Sequence, residues 1–318
     1  MKKHVLLFVL LLLMTALLLA AFDASNPEKP PSAAGTALCF AERADSVSGE
    51  YSDASGNHWR YTYSLPVVSG DTEDAAAVNA ELDGIFETYI APELRHMAEG
   101  FSLVTTYASW RTAAYKGIPS LLVRLHNAWD DSLYYAAAFT AQGRRVPNAE
   151  LFAALGITGE EFTAAAAEKL TEHMGLDALA DRPEEIRAVA EACRDRTLAP
   201  ENCNAELPIF VTSYGTVCFV GRVYTPAGAG QYDHLFILTP QDGFTGAELA
   251  ELAQDSYGMR CGHRPEAAAF ASNADGTVTI SLYDRAEDPA SLCERYVVSP
   301  ETGAGVDSRG VLIDLTVQ

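Results

Sequence analysis

Met1-Lys2-Lys3-His4 leads directly into an almost unbroken apolar run from Val5 to Phe22. A short basic segment before such a run is the pattern of a secretory signal. It constrains everything that follows, because the rest of the chain is then expected to fold outside the cytosol with the two lysines left on the inner side. Ala20, Ala21 and Ala24 offer cleavage points, so residues 1–24 are expected to be a cleaved signal peptide. The alternative is an N-terminal anchor, since 18 apolar residues approach a membrane span. A lipoprotein does not fit, because the first cysteine, Cys39, lies far beyond the run and follows Leu38. The expected location is extracytoplasmic, secreted or held at the outer face of the cytoplasmic membrane, with membrane contact only through an uncleaved N-terminal segment.

The chain carries 22 Lys and Arg against 43 Asp and Glu, a net charge of −21. Such a surface repels phosphate backbones, which excludes nucleic acid as a partner. It attracts basic partners, or serves only to keep the protein soluble. With 48% hydrophobic and 20% charged residues the chain has enough apolar side chains to build cores, which excludes a disordered tail. Six cysteines in an exported chain permit up to three disulfides in 15 connectivities. Cys193 and Cys203, close in sequence on either side of Pro200, are the best candidate pair. None of the six shows C-x-x-C spacing and no two histidines sit at ligand spacing, so neither a metal site nor a cofactor is expected.

Residues 25–38 read as a Pro-rich tether. Beyond it, Trp59–Leu65 alternates as a strand, and a turn at Gly70-Asp71 precedes a helix whose apolar stripe is Val78, Leu82, Ile85, Phe86, Tyr89 and Ile90, ended or kinked at Pro92. Asp71 or Thr72 is its expected cap. Strands are expected at Leu103–Trp110, Leu121–Leu125 and Tyr134–Phe139, followed by a turn at Gln142-Gly143. Thr158…Glu161 and Thr245…Glu248 are capping boxes opening helices that stop near Gly175 and Gly258, and Pro183 starts a third helix. The last third is strand-rich: Ile209–Tyr214, Val217–Tyr224, His234–Leu238, Val278–Tyr283, Tyr296–Val298 and Val311–Val317. Turns are expected at Tyr214-Gly215, Asn273–Gly276 and Pro300–Gly303. Strand runs with inserted helices predict an α+β fold of antiparallel sheets.

The strand Tyr61-Thr62-Tyr63-Ser64-Leu65-Pro66, the linker Ser69-Gly70 and the helix with Asn79 and Ile85 resemble the exported bacterial domain of unknown function found ahead of the catalytic part of the peptidoglycan deacetylase PdaC. Phe139-Thr140-Ala141-Gln142-Gly143, then Glu150-Leu151-Phe152, and later Val223-Tyr224-Thr225-Pro226 running on to Tyr232 resemble its companion domain. That companion also occurs in the extracellular part of the lysozyme-sensing anti-sigma factor RsiV. The resemblance covers residues 46–240 and implies a two-part α+β surface domain, with residues 39–132 and 133–240 as its parts and 241–318 as a β-rich extension. It implies protein or cell-wall binding. The chain departs from the pattern at Ala227, where the family has an aromatic after the Pro, and only Met1–His4 precede the apolar run, which leaves no room for a cytoplasmic anti-sigma segment.

No nucleophile elbow, S-x-x-K, H-E-x-x-H or P-loop occurs, so no catalytic residue is assigned. Asp130-Asp131 after Trp129 reads as a turn in preference to a carboxylate pair. Asn273-x-Asp275-Gly276 fails as a calcium loop, with Ala271 and Leu282 at the first and last ligand positions. Trp59, Trp110 and Trp129 read as core, or as a sugar-stacking platform if two share an exposed face. The candidate binding loop is Tyr224, Pro226, Gly228, Gly230, Gln231, Tyr232 and His234, a small-residue segment rimmed by aromatics. The expected function is a non-catalytic binding or sensing module of a bacterial envelope whose partner is a basic protein or a cell-wall component. An exported hydrolase acting on wall or peptides and a structural envelope-assembly module are the alternatives.

Overall fold

The computed structural model describes residues 38–69, 73–127, 132–176, 181–226, 230–240, 242–261 and 263–316. Residues 1–37, where the signal and nearly all of the tether are expected, the expected Gly70-Asp71 turn with Thr72, and Trp129 with Asp130-Asp131 lie outside the described residues. Residues 38–318 form one compact unit of α+β class.

The strands are β1 (Cys39–Glu42), β2 (Val47–Ser52), β3 (His58–Tyr63), β4 (Pro66–Ser69), β5 (Thr105–Tyr115), β6 (Ile118–Asn127) and β7 (Ser132–Ala138). They continue as β8 (Ile209–Val211), β9 (Val217–Tyr224), β10 (Gln231–Ile237), β11 (Ala267–Ser272), β12 (Val278–Tyr283), β13 (Leu292–Val298), β14 (Ala304–Asp307) and β15 (Leu312–Asp314). The helices are α1 (Glu73–Ile85), α2 (Ala91–Glu99), α3 (Asn148–Leu155), α4 (Gly159–Met174), α5 (Glu184–Thr197) and α6 (Gly246–Cys261).

Eight strands make one sheet in the order β2-β3-β5-β6-β7-β10-β9-β8, β11 to β15 form a second sheet in sequence order, and β1 and β4 pair as a separate two-stranded antiparallel ribbon. The first sheet draws strands from both parts expected on either side of residue 132, so that boundary runs through a continuous ladder. Its centre is the β5–β6 hairpin, joined by Lys116-Gly117, where both residues have positive φ (49° and 80°). That is a two-residue turn whose twist suits antiparallel strands. β3 and β5 run parallel, with Thr62 beside Tyr107, which requires the crossover through α1 and α2. Within that crossover a π-turn, Phe86–Ile90, joins the helices, and Pro92 sits in the first turn of α2 instead of ending α1.

Both faces of the large sheet are covered. On one face Leu121, Val123 and Leu125 pack with Val78 and Leu82 of α1, while Val217, Phe219 and Phe236 pack with Phe162, Ala166 and Leu170 of α4. On the other face Leu122, Phe210, Cys218, Val220, Leu235 and Ile237 share a core with Leu249, Leu252 and Ala253 of α6 and with Ile280, Leu282 and Tyr296 of the second sheet. Coverage on both sides explains why β9 reads as a nearly continuous apolar run. The Thr158–Glu161 box opens α4, and Thr245 and Glu248 exchange the same reciprocal bonds at the start of α6.

All six cysteines, Cys193 and Cys203 among them, are unbridged in this structure. Cys203 is buried in the core under α4, with its thiol against the Thr163 carbonyl, whereas Cys193 is half-buried on α5.

Because one core joins the two sheets, Ile280→Ala, at a fully buried site of the second sheet, is expected to cost about 2–5 kcal/mol and to shift a single unfolding transition. Two separate transitions in calorimetry, only one of them moved by the substitution, would show the C-terminal sheet to be independent.

Candidate functional site

Side chains alternate across a strand, so pairing register decides which residues share a face. On β6 the even residues Leu122, Arg124 and His126 face α6. Their partners on β5 are Arg111, Ser109 and Tyr107. Thr62 of β3 lies beside Tyr107, which brings Arg60 and His58 to the same face, opposite Glu50 and Ser52 of β2. The end of α6 and the segment after it add Arg260, Cys261 and Arg264. Two adjoining cavities result, sharing Tyr107.

The outer cavity measures about 620 Å³ and is lined by residues of β2, β3, β5 and β6 together with Arg260 and Cys261. Arg60 and Glu50 face each other across the strands at 3.4 Å, both well exposed. Ser52 Oγ and His58 Nδ1 are 2.8 Å apart, the neighbour relation their pairing dictates. Trp59 and Tyr51 alternate to the opposite face, and the Trp59 indole N–H donates to Asp53. Trp110 likewise turns toward the α1 side and donates to Ser64. Trp59 still contributes to the wall of the outer cavity and Trp110 to that of the inner one, but their indole N–H groups are engaged by Asp53 and Ser64.

The inner cavity measures about 150 Å³. Arg111, Arg124 and Arg264 line it with Asp255, Ser109 and Tyr107. Arg111 donates through Nη1 to Asp255 and lies 3.7 Å from Glu251. Its guanidinium also rests 4.6 Å above the Phe210 ring. Arg264 Nε donates to the other Asp255 oxygen at 2.8 Å. Arg124 lies over the Tyr134 ring. Burial lowers the pKa of all three arginines, yet guanidinium stays charged at neutral pH. The two cavities thus gather five arginines, Arg60, Arg111, Arg124, Arg260 and Arg264, on one face of a chain whose net charge is −21. Such an arrangement can hold an anion by charge-assisted, bidentate hydrogen bonds.

A third cavity of about 500 Å³ lies at the starts of α4 and α6. Two of its carboxylates are already engaged: Glu161 accepts from Thr158, and Glu248 from Thr245 and the Thr216 hydroxyl.

The loop residues expected to bind do not converge on the groove. Tyr224 is buried under the Arg196 guanidinium, 4.0 Å from its ring. Pro226 and Gln231 are exposed, Gly230 takes φ +78° to close the turn onto Thr225, and Gly228 lies outside the described residues. Tyr232 and His234 alternate with Phe236 toward α4, where the Tyr232 hydroxyl meets His173 Nε2 at 3.0 Å and the two imidazoles stack at 4.7 Å. The arginines of the groove carry no local motif. They are scattered over β3, β5, β6 and the end of α6, and only strand register could have placed them together.

No protein-family model matches the chain, and no curated protein matches it.

His234 Nε2 is buried and, among the described residues, without a hydrogen-bond partner. Burial first, then the neighbouring His173 and Arg124, pushes its pKa down to about 3. An unfolded His titrates near 6.5. Between those values the unfolded chain takes up a proton that the native state refuses. The stabilisation is therefore complete above about pH 6.5 and is lost as the pH falls. From pH 7.5 to 5.5, denaturant unfolding of the native sequence should lose about 1.4 kcal/mol more than that of His234→Phe. Equal losses would refute the assignment.

Proposed function

We propose that the protein is a non-catalytic binding module of a bacterial cell envelope, working outside the cytoplasmic membrane and taking an anionic cell-wall component in the arginine groove. The observation that carries this reading is the groove itself. Five guanidinium groups line adjoining cavities of about 620 and 150 Å³ on a strongly acidic chain. Charge of that sign at that place favours an anion over the basic protein that the overall composition attracts. The basic N-terminus with its apolar run, the Pro-rich tether and the resemblance of residues 46–240 to envelope domains support the location. Wall polymers carry carboxylates and phosphates spaced along glycan or polyol chains, which matches an open outer cavity leading to a narrow inner one.

Purified protein should co-sediment with isolated cell-wall material, and less so as salt is raised, because exposed charges are screened beyond about 8 Å at physiological ionic strength. Arg60 and Arg260 stand at the exposed rim. Reversing both to Glu should weaken binding at least about tenfold at low salt; Arg260 also donates to the hydroxyl of buried Tyr296, so Arg60→Glu alone is the variant that should leave the melting temperature nearly unchanged. Undiminished binding by that double variant would remove the groove from the reading, and no binding by the native protein would end it.

A further inference from the structure

Resting on the envelope-binding reading and naming its anchor, we infer that the inner cavity is a subsite for a single compact oxyanion, a carboxylate or phosphate group of the ligand, held by Arg111 and Arg264 with Arg124 beside them.

Three cationic side chains line this cavity against one carboxylate, Asp255. Asp255 is shared: one oxygen takes Arg111 Nη1 and the other takes Arg264 Nε. Arg264 Nη2 has a long contact to the Gln254 side-chain oxygen, at 3.3 Å. Arg111 Nη2, by contrast, is buried and without any hydrogen-bond partner among the described residues. A buried guanidinium N–H left unpaired is costly, and a charged one more so. An oxyanion in the cavity would satisfy it with a short charge-assisted bond. The volume, about 150 Å³, suits one such group and not a sugar ring with its substituents. The Arg111 guanidinium is also held from three sides, by Asp255, by Glu251 and by the face of Phe210, so the donor is in position before a ligand arrives. Ser109 and Tyr107 on the wall add hydroxyls, and Tyr107 joins the subsite to the outer cavity where the rest of the ligand would lie.

The test uses orthophosphate and acetate as probes against chloride at matched ionic strength, read by thermal unfolding and by calorimetric titration. The native protein should bind one equivalent of one probe and melt several degrees higher in its presence. Phosphate acting alone identifies a phosphate-bearing ligand; acetate acting identifies a carboxylate. Ser109→Asp places a carboxylate at the wall of the cavity. It should abolish the response to both probes and itself melt no lower than the native protein, since it supplies the missing acceptor. Arg264→Gln should weaken the probe at least tenfold. An absence of any effect beyond chloride, or a Ser109→Asp protein that melts lower or still binds the probe, would overturn the subsite. Probe binding without sedimentation on wall material would overturn the envelope reading and leave the subsite standing.

Discussion

Placing a guanidinium between β5 and α6 makes demands on everything around it. Removing Arg111 from water is expensive unless its charge is met at close range. Asp255 and Glu251, one turn apart on α6, both face it, and Phe210 of β8 supplies an aromatic face beneath. The same Asp255 then takes Arg264, which folds the segment after α6 back over the helix end. One ion pair therefore docks α6 on the large sheet, fixes the rotation of the helix and shapes the inner cavity. The apolar contacts around Leu249, Leu252 and Ala253 provide the bulk of the attraction, but they would tolerate a slide or turn of the helix that the charged contact does not.

Residues with strong local chemistry were legible. The Thr158 and Thr245 boxes mark true helix starts, and β9 and β12 span the stretches their β-branched and apolar residues predict. Other elements were hidden for reasons that can be named. β11 is Ala-Ala-Ala-Phe-Ala-Ser, a composition that favours helix in isolation and becomes a strand only by pairing with β12. The end of α6 was expected at Gly258, yet the helix continues to Cys261. Gly258 is there for space: a Cβ would stand 3.2 Å from the Arg264 backbone, so this glycine lets the chain fold back across the helix. Pro92 was expected to break a helix that the π-turn at Phe86–Ile90 had already interrupted. The domain boundary near residue 132 was placed on resemblance, while β6 and β7 pair straight across it.

The site was less legible than the fold, and the reason is positional. Tyr224 and Tyr232 look like a binding rim in sequence because they are aromatic, close together and separated by small residues. Their strands turn them inward, Tyr232 in step with His234 and Phe236 toward α4. The period of two on β10 contains that outcome, but only once the covering helix is known. The groove arginines lie on separate strands and beyond α6, and nothing in their immediate neighbours distinguishes them from solubilising charge. Their common face follows from Ser109 pairing with Arg124 and from Thr62 lying beside Tyr107. Such register is set by the whole sheet and not by any local window.

An acidic protein with a cationic groove faces a conflict that restricts its ligands. The overall charge of −21 repels anions at distance, so the groove does not recruit them by long-range steering. At physiological salt the repulsion fades within about 8 Å, and only charges near the groove then count. A dense polyanion would bring much of its charge close to a chain of net charge −21 and lose on the exchange. A chain with one anionic group per several neutral units can seat that group among Arg111, Arg124 and Arg264 while its neutral portions lie in the wider cavity beside His58 and Tyr107.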